Sequence, residues 1–250
     1  LPTVTIIFMI LSLLIAFGFE FINSFHDTAN AVTTVIYTNT LKPGPAVLYS
    51  GFCNFLGVFL GGTTVAFSIV NLLPVDVLVG ESSGQALVMV VSLLLAGVIW
   101  NLGTWYMGLP VSSSHTLIGS IIGVGLVNSL ITRGDVSGVN WSKAIDVGMA
   151  LLISPLIGFC FAGALLLLMK WTIKDQRLYV PPEPNDQPHS WVRKVLITTC
   201  GAVSFAHGSN DGQKGMGLIL LVLIGFMPGY YALDLNHPGK AIDVHRGAGF

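Results

Sequence analysis

Residues 3–38 read TVTIIFMILSLLIAFGFEFINSFHDTANAVTTVIYT. The stretch holds no charge before Glu20 and only Glu20 and Asp27 thereafter. As one continuous helix it would be roughly 54 Å long, against a bilayer hydrocarbon core of about 30 Å. It must therefore tilt strongly, project from the membrane, or break, and the polar run Asn23–Asn30 is the expected place for a break. Glu20, Asn23, His26, Asp27 and Asn30 fall at i, i+3, i+6, i+7 and i+10, which forms one helical stripe. Such a stripe is costly in lipid and has to face protein or water. An interhelical hydrogen-bond seam would account for Asn23 and Asn30. It would not account for Glu20 and Asp27, because ionised carboxylates need cations or protons nearby.

The rest of the chain extends the pattern. Of 250 residues only 9% are charged, against about 25% in a typical soluble protein, while hydrophobic residues make up 53%. Mean hydropathy is +0.78. No charged residue occurs between Lys42 and Asp76, between Glu81 and Arg133, or between Asp146 and Lys170. Too little charge remains to cover a soluble globule. The apolar runs form six units, at residues 3–38, 46–73, 86–107, 111–131, 144–169 and 195–230. They are too long and too evenly apolar for the alternating segments of a membrane barrel, so helices are expected. The sequence predicts an all-α polytopic membrane protein of about six transmembrane units, some of them broken helices. A net charge of −1 gives no case for nucleic-acid binding. Cys53, Cys160 and Cys200 lie far apart in apolar stretches and read as small buried hydrophobes. The Leu-Pro start has no basic segment before it, so the first run reads as a mature span and the chain as a fragment.

The basic residues orient the spans. Residues 170–194 hold five of the eleven Lys and Arg, with Pro181, Pro182, Pro184 and Pro188 marking a loop. This loop is placed in the cytoplasm. Counting back puts the Lys42 turn inside and the Asp76/Glu81 loop outside. Five crossings separate the starts of units one and six, so the two are expected to run in opposite directions. Inverted repeats with discontinuous helices are a recurrent construction of secondary transporters, with the binding site at the breaks. The expected organisation is a first transmembrane repeat at 1–169, the cytoplasmic loop at 170–194, the start of an inverted second repeat at 195–231, and a truncated polar loop at 232–250.

Unit six repeats the polar interruption as HGSNDGQKG at residues 207–215. Aligning Asp211 with Asp27 pairs Asn210 with His26, His207 with Asn23, and Lys214 with Asn30. Gly208, Gly212, Gly215 and Gly217 would permit an unwound backbone and close approach to a ligand. Lys214 has a second reading, in which its ammonium pairs with Asp211. A third polar feature is GLPVSSSHTLIG at residues 108–119. Pro110 disfavours helix at Leu109, and the serines supply a cap and hydroxyls for the helix that follows. A helix N-terminus of this kind is a ready anion site. Ser114 and His115 are adjacent in sequence, so a hydrolase pair is disfavoured.

These three motifs, with WNLGTW at residues 100–105, together resemble the inorganic phosphate transporter (PiT) family of secondary carriers. The family signature is duplicated and reads approximately G-A-N-D-x-x-N-A. Asp27, Asn30 and Ala31 match the first copy, with His26 in place of an Asn. Asn210 and Asp211 match the second, with Lys214 in place of the later Asn. The Gln-Lys variant resembles the bacterial low-affinity branch. The resemblance implies symport of inorganic phosphate, free or as a metal–phosphate complex, with H⁺ or Na⁺ across a bacterial inner membrane. It implies no enzyme activity, no cofactor and no bound metal, and it leaves homo-oligomerisation open. Asp27, Asn30, Asn210, Asp211, Ser112, Ser113, Ser114 and Thr116 would contact substrate. Glu20, His26, Asp27, His207, Asp211 and Lys214 would serve coupling, and Lys214 in place of Asn predicts H⁺. A carrier for sulfate is the nearest alternative, and an intramembrane metalloenzyme using His26, Asp27, His115, His207 and Asp211 a remoter one.

Overall fold

A computed structural model describes residues 3–72, 83–109, 111–181 and 187–226. Among these residues the chain forms seven α-helices and one 3₁₀ turn, with no strand. They are α1 (Thr3–Tyr37), α2 (Pro43–Leu60), α3 (Thr64–Val70), α4 (Ser83–Tyr106), α5 (Ser113–Thr132), α6 (Trp141–Thr172) and α7 (Ser190–Phe226). Helices α1, α2, α4, α5 and α6 each contain a stretch long and apolar enough to cross a bilayer, and their apolar side chains are extensively exposed. This is a helical membrane protein. Pro110, the Asp76/Glu81 loop, Pro182, Pro184 and the 232–250 tail lie outside the described residues.

The six apolar units appear as helices, but the polar centres do not break them. Helix α1 runs unbroken for 35 residues through Asn23–Asn30, and α7 for 37 residues through His207–Gly215. Unwinding either would strip backbone N–H and C=O groups of partners where water is scarce. The polar stripe has little need of it, because Asn23 and Gln213 are buried against neighbouring helices and Glu20, Asp27, Asp211 and Lys214 are half-buried, leaving Asn30 and Asn210 exposed. A break does occur in unit two, where α2 ends at Leu60 and α3 begins at Thr64. Gly62 makes the turn with a φ of +79° that residues with a Cβ rarely adopt.

The glycines of α7 serve contact rather than unwinding. Helix α7 packs against α1, α2, α3 and α4, most extensively against α2. A Cβ at Gly208 would lie 1.9 Å from the Asn54 carbonyl oxygen, and one at Gly57 would lie 2.1 Å from the Phe205 carbonyl oxygen. These two backbones touch because neither residue has a side chain, which is the small-residue packing that membrane helices use where apolar burial drives little. Ser50 and Ser204 share a hydrogen bond at 2.7 Å across the same interface. Pairs Tyr49–Gly201 and Asn54–Gly208 show that α2 and α7 run parallel, whereas Glu20 against Gly215 together with Asp27 against Asp211 makes α1 and α7 antiparallel. The opposed directions expected of units one and six are present.

A buried apolar cluster built from Ala16, Phe19, Leu93, Leu94, Leu117, Ile121, Leu218, Leu221 and Val222 ties α1, α4, α5 and α7 together. Helix α6 contributes buried Ala144 and half-buried Val147 to it and exposes Leu152, Leu156, Phe159 and Phe161. The helices reach into the expected 170–194 loop from both sides. Between them a 3₁₀ turn at Gln176–Tyr179 sets Tyr179 under the Lys170 ammonium, 6.0 Å from the ring centre.

Gly208→Ala is expected to force α2 and α7 apart and to destabilise the fold by about 1–3 kcal/mol. Gly103→Ala meets nothing within 4 Å and is expected to leave stability unchanged or slightly raised. Thermal unfolding of both variants in detergent compares them directly, and equal midpoints would contradict the contact.

Candidate functional site

The antiparallel crossing of α1 and α7 brings the two sequence motifs together. Asp27 and Asp211 present their carboxyl groups to each other at hydrogen-bonding range. Lys214, one turn along α7, forms an ion pair with Asp211. Both side chains are largely buried, so the pair is shielded from the screening that weakens surface salt bridges. Two carboxylates at that range repel unless a proton or cation stands between them. One ammonium serves only part of that need.

These groups open onto a cavity of about 650 Å³. Asp27, His207, Asn210, Asp211 and Lys214 line one side, and Ser112, Ser113 and Ser114 line another. The serines stand where the sequence predicts them. Ser112 has an extended backbone and caps α5, accepting from the His115 N–H at 3.4 Å, while its hydroxyl also meets His115 Nδ1 at 2.7 Å. Ser113 and Ser114 occupy the first turn, where backbone N–H groups lack intrahelical acceptors. The cavity thus sets a helix N-terminus with three hydroxyls opposite an acid pair and a lysine.

Four expected residues lie elsewhere. Asn30 is exposed on α1 and does not line the cavity. Thr116 gives its hydroxyl to the Ser112 carbonyl at 3.1 Å and faces a second cavity, about 1020 Å³, between α4 and α5. That larger cavity is lined mostly by apolar side chains, and His115 is the only titratable group among the described residues that line it. Glu20 rests against Gly215, its Cγ 3.0 Å from where a Cβ would stand. His26 donates from Nδ1 to the Ile22 carbonyl at 2.8 Å and stacks on Phe25. Both belong to the helix contacts behind the cavity wall.

Sequence reasoning missed Ser68 and Ser154, which add hydroxyls to the cavity from α3 and α6. Each is a lone polar residue in an apolar run, and Ser154 precedes Pro155 inside a span. It also passed over Gln213. This buried side chain donates from Nε2 to the Gly61 carbonyl at 2.7 Å and to the Ser209 carbonyl at 2.8 Å. Its Oε1 accepts from the Val65 N–H at 2.7 Å. One amide therefore satisfies the backbone on both sides of the α2–α3 break and fixes α3 against the cavity, next to Lys214.

With the site in view, comparison with known proteins is decisive. A model of the phosphate transporter family matches residues 23–237. The chain belongs to the phosphate transporter family. Within it, the chain is 46% identical to the low-affinity inorganic phosphate transporter PitA of Escherichia coli (strain K12), an alignment covering 96% of this chain and 50% of that protein. It is 37% identical to a probable low-affinity inorganic phosphate transporter of Bacillus subtilis (strain 168), over 88% of this chain and 61% of the relative. The chain spans about half the length of the Escherichia coli relative. A solved structure described as the sodium-dependent phosphate transporter shares the fold, with a TM-score of 0.67 at 20% identity, covering 89% of this chain and 68% of that one. The family's relatives are named transporters, which displaces the metalloenzyme alternative. Among the described residues no three His, Cys, Asp or Glu side chains stand together as a metal site.

Gln213→Leu leaves the Gly61 carbonyl and the Val65 N–H without partners and is expected to cost about 1–3 kcal/mol. Loss of thermal stability in the full-length protein, with Gln213→Glu closer to wild type at low pH, checks the assignment. An unshifted midpoint for Gln213→Leu would contradict it.

Proposed function

We propose that the full-length protein carrying this chain is a secondary symporter that takes up inorganic phosphate with H⁺ across the bacterial inner membrane. The observation that carries this reading is the cavity between the Asp27–Asp211–Lys214 cluster and the N-terminus of α5. Phosphate bonds to the hydroxyls of Ser112, Ser113 and Ser114 and to the free N–H groups of the first turn. Ser68, Ser154 and Asn210 complete the polar lining. No Arg lies in any of the six apolar units, so the anion is held by dipoles and hydroxyls rather than by guanidinium forks.

The charge balance supplies the coupling. Two carboxylates against the one ammonium of Lys214 leave a negative charge uncompensated, and an arriving phosphate adds more. A proton taken up by the Asp27–Asp211 pair removes the repulsion and makes phosphate binding favourable. Release of one favours release of the other, which is the reciprocity any symporter needs. Lys214 stands where the signature's second copy has Asn, and its ammonium fills the space a Na⁺ would take beside Asp211. This is why H⁺ is favoured. The carboxylates also select among oxyanions, since a phosphate that keeps a proton can donate a hydrogen bond to them, whereas sulfate has no donor at neutral pH.

Alternating access then requires two states of the helices around this cavity. Residues 1–169 form the first repeat in this reading, 170–194 a cytoplasmic loop, and 195–231 the start of the inverted second repeat. The antiparallel α1 and α7 are the corresponding central helices.

Asp27→Asn and Asp211→Asn in the full-length protein are each expected to abolish labelled phosphate uptake while leaving membrane insertion intact. Near-normal transport by either variant would remove that residue from the mechanism. Excess sulfate is expected to leave phosphate uptake unchanged. Competition at equal concentrations would instead make the protein a general oxyanion carrier.

A further inference from the structure

Behind the cavity wall lies a second group of buried polar atoms, in which Glu20 and Asn23 lean on each other one turn apart on α1 and the fold supplies little else. Glu20 Oε1, both amide atoms of Asn23, both amide atoms of Asn101 and His26 Nε2 are shielded and make no hydrogen bond of ordinary geometry among the described residues. Asn23 and Asn101 are each only 1% exposed. Buried polar groups in native folds are nearly always satisfied, by protein, by ordered water or by an ion.

Two contacts bring them into register. The Phe19 ring lies 2.9 Å from where a Cβ of Gly97 would stand, and the Phe25 and Trp105 rings pack edge to face at 5.8 Å. Helices α1 and α4 are therefore parallel. Asn101 falls midway between Gly97 and Trp105, level with Ile22 and Asn23. Glu20 lies one turn before Asn23 and His26 one turn after it, on the same helix side. Glu20 also touches Gly215, which follows Lys214 and lies one turn from Asp211.

The chemistry of the orphans tells which ligand fits. A bare cation would satisfy the three oxygens and leave both amide N–H₂ groups unpaired. Water donates and accepts, so it alone satisfies the whole set. The charged groups that act on Glu20 are Asp27 from α1 and Asp211 and Lys214 from α7, and His26 and His207 are the other titratable side chains on these stretches of the two helices. Helices α2 and α4, which also pack on α1, bring no acidic or basic side chain.

We propose that α1, α4 and α7 enclose a short file of ordered water, held by Asn23 and Asn101, through which Glu20 passes protons to the Asp27–Asp211 pair. A proton arrives on the Glu20 carboxylate from water, leaves it for the next water of the file, and reaches the pair. Glu20 is then ionised again and nothing else is consumed. Asn23 and Asn101 are positioning residues that orient the file. The inference rests on the proton-coupled reading of the cavity and adds the route by which the proton gets there.

The test uses the full-length protein in liposomes containing a pH-sensitive dye, with labelled inorganic phosphate. Phosphate–phosphate exchange requires no net proton movement, whereas accumulation driven by an inward proton gradient does. Glu20→Gln is expected to keep exchange near the wild-type rate and to lose gradient-driven accumulation and the accompanying dye signal. Asn101→Leu, which puts an apolar group in the file, is expected to show the same split, and Asn101→Ser to recover accumulation. Wild-type accumulation by Glu20→Gln or Asn101→Leu overturns the relay. So does loss of exchange together with accumulation in a correctly inserted Glu20→Gln, which would move Glu20 into the substrate site. Wild-type phosphate uptake without any dye signal sinks the proton-coupled reading itself, and thereby separates the two failures. Should Glu20→Gln fail to insert, the Asn101 pair of variants decides alone.

Discussion

Everything in this structure depends on how closely α7 can approach α1 and α2. In a bilayer, apolar side chains gain little by leaving lipid for protein, so helices associate through tight packing and polar contact. Gly208 against Asn54 and Gly57 against Phe205 bring two backbones into contact. That approach lets α7 carry an acid, a lysine and a glutamine through the apolar environment without exposing them to lipid. The same approach sets Asp211 opposite Asp27 and lets Gln213 reach across to the α2–α3 break. A wider crossing would separate the acids and leave the break unsatisfied. The glycines are thus part of the site although none of them touches the cavity through a side chain.

The polar centres illustrate what a membrane sequence does and does not reveal. Six apolar units, their helical nature and their opposed directions were legible, because span length and charge spacing answer to the thickness of the bilayer. The break was legible only as a need. A 36-residue segment is too long to stand upright, and the polar run looked like the place where it would give way. Helix α1 instead stays intact, and the glycine turn at Gly62 takes the break in unit two, where Gln213 from a distant part of the chain can satisfy it. No local signal connects residue 62 with residue 213. The contact is tertiary, and only the fold supplies it.

The candidate site was legible in its charged members and less so in its neutral ones. Asp27, Asp211 and Lys214 were identifiable because a charge inside a span has few reasons to be there. The serines at 112–114 were identifiable because a proline and a run of hydroxyls announce a helix start. Asn30 and Thr116 followed the motifs in sequence but face away from the cavity in space. Ser68 and Ser154 line it without belonging to any motif. A hydroxyl on a membrane helix can be absorbed by its own backbone, as Ser68 does with the Thr64 carbonyl at 3.1 Å, so a lone serine carries little information until its neighbours are known. Glu20 lies between these cases. Its charge marked it as functional, yet it stands behind the cavity rather than in it.

On the proposed reading, a cavity that presents hydroxyls and helix N–H groups to an anion, opposite acids that take up a proton before the anion arrives, moves the two together. The direct measurement is phosphate uptake by the full-length protein in liposomes, with internal and external pH and Na⁺ varied independently. Uptake should follow the proton gradient and be indifferent to Na⁺ at constant pH. Uptake that requires Na⁺ and ignores the proton gradient would contradict proton coupling through Lys214 and the Asp27–Asp211 pair.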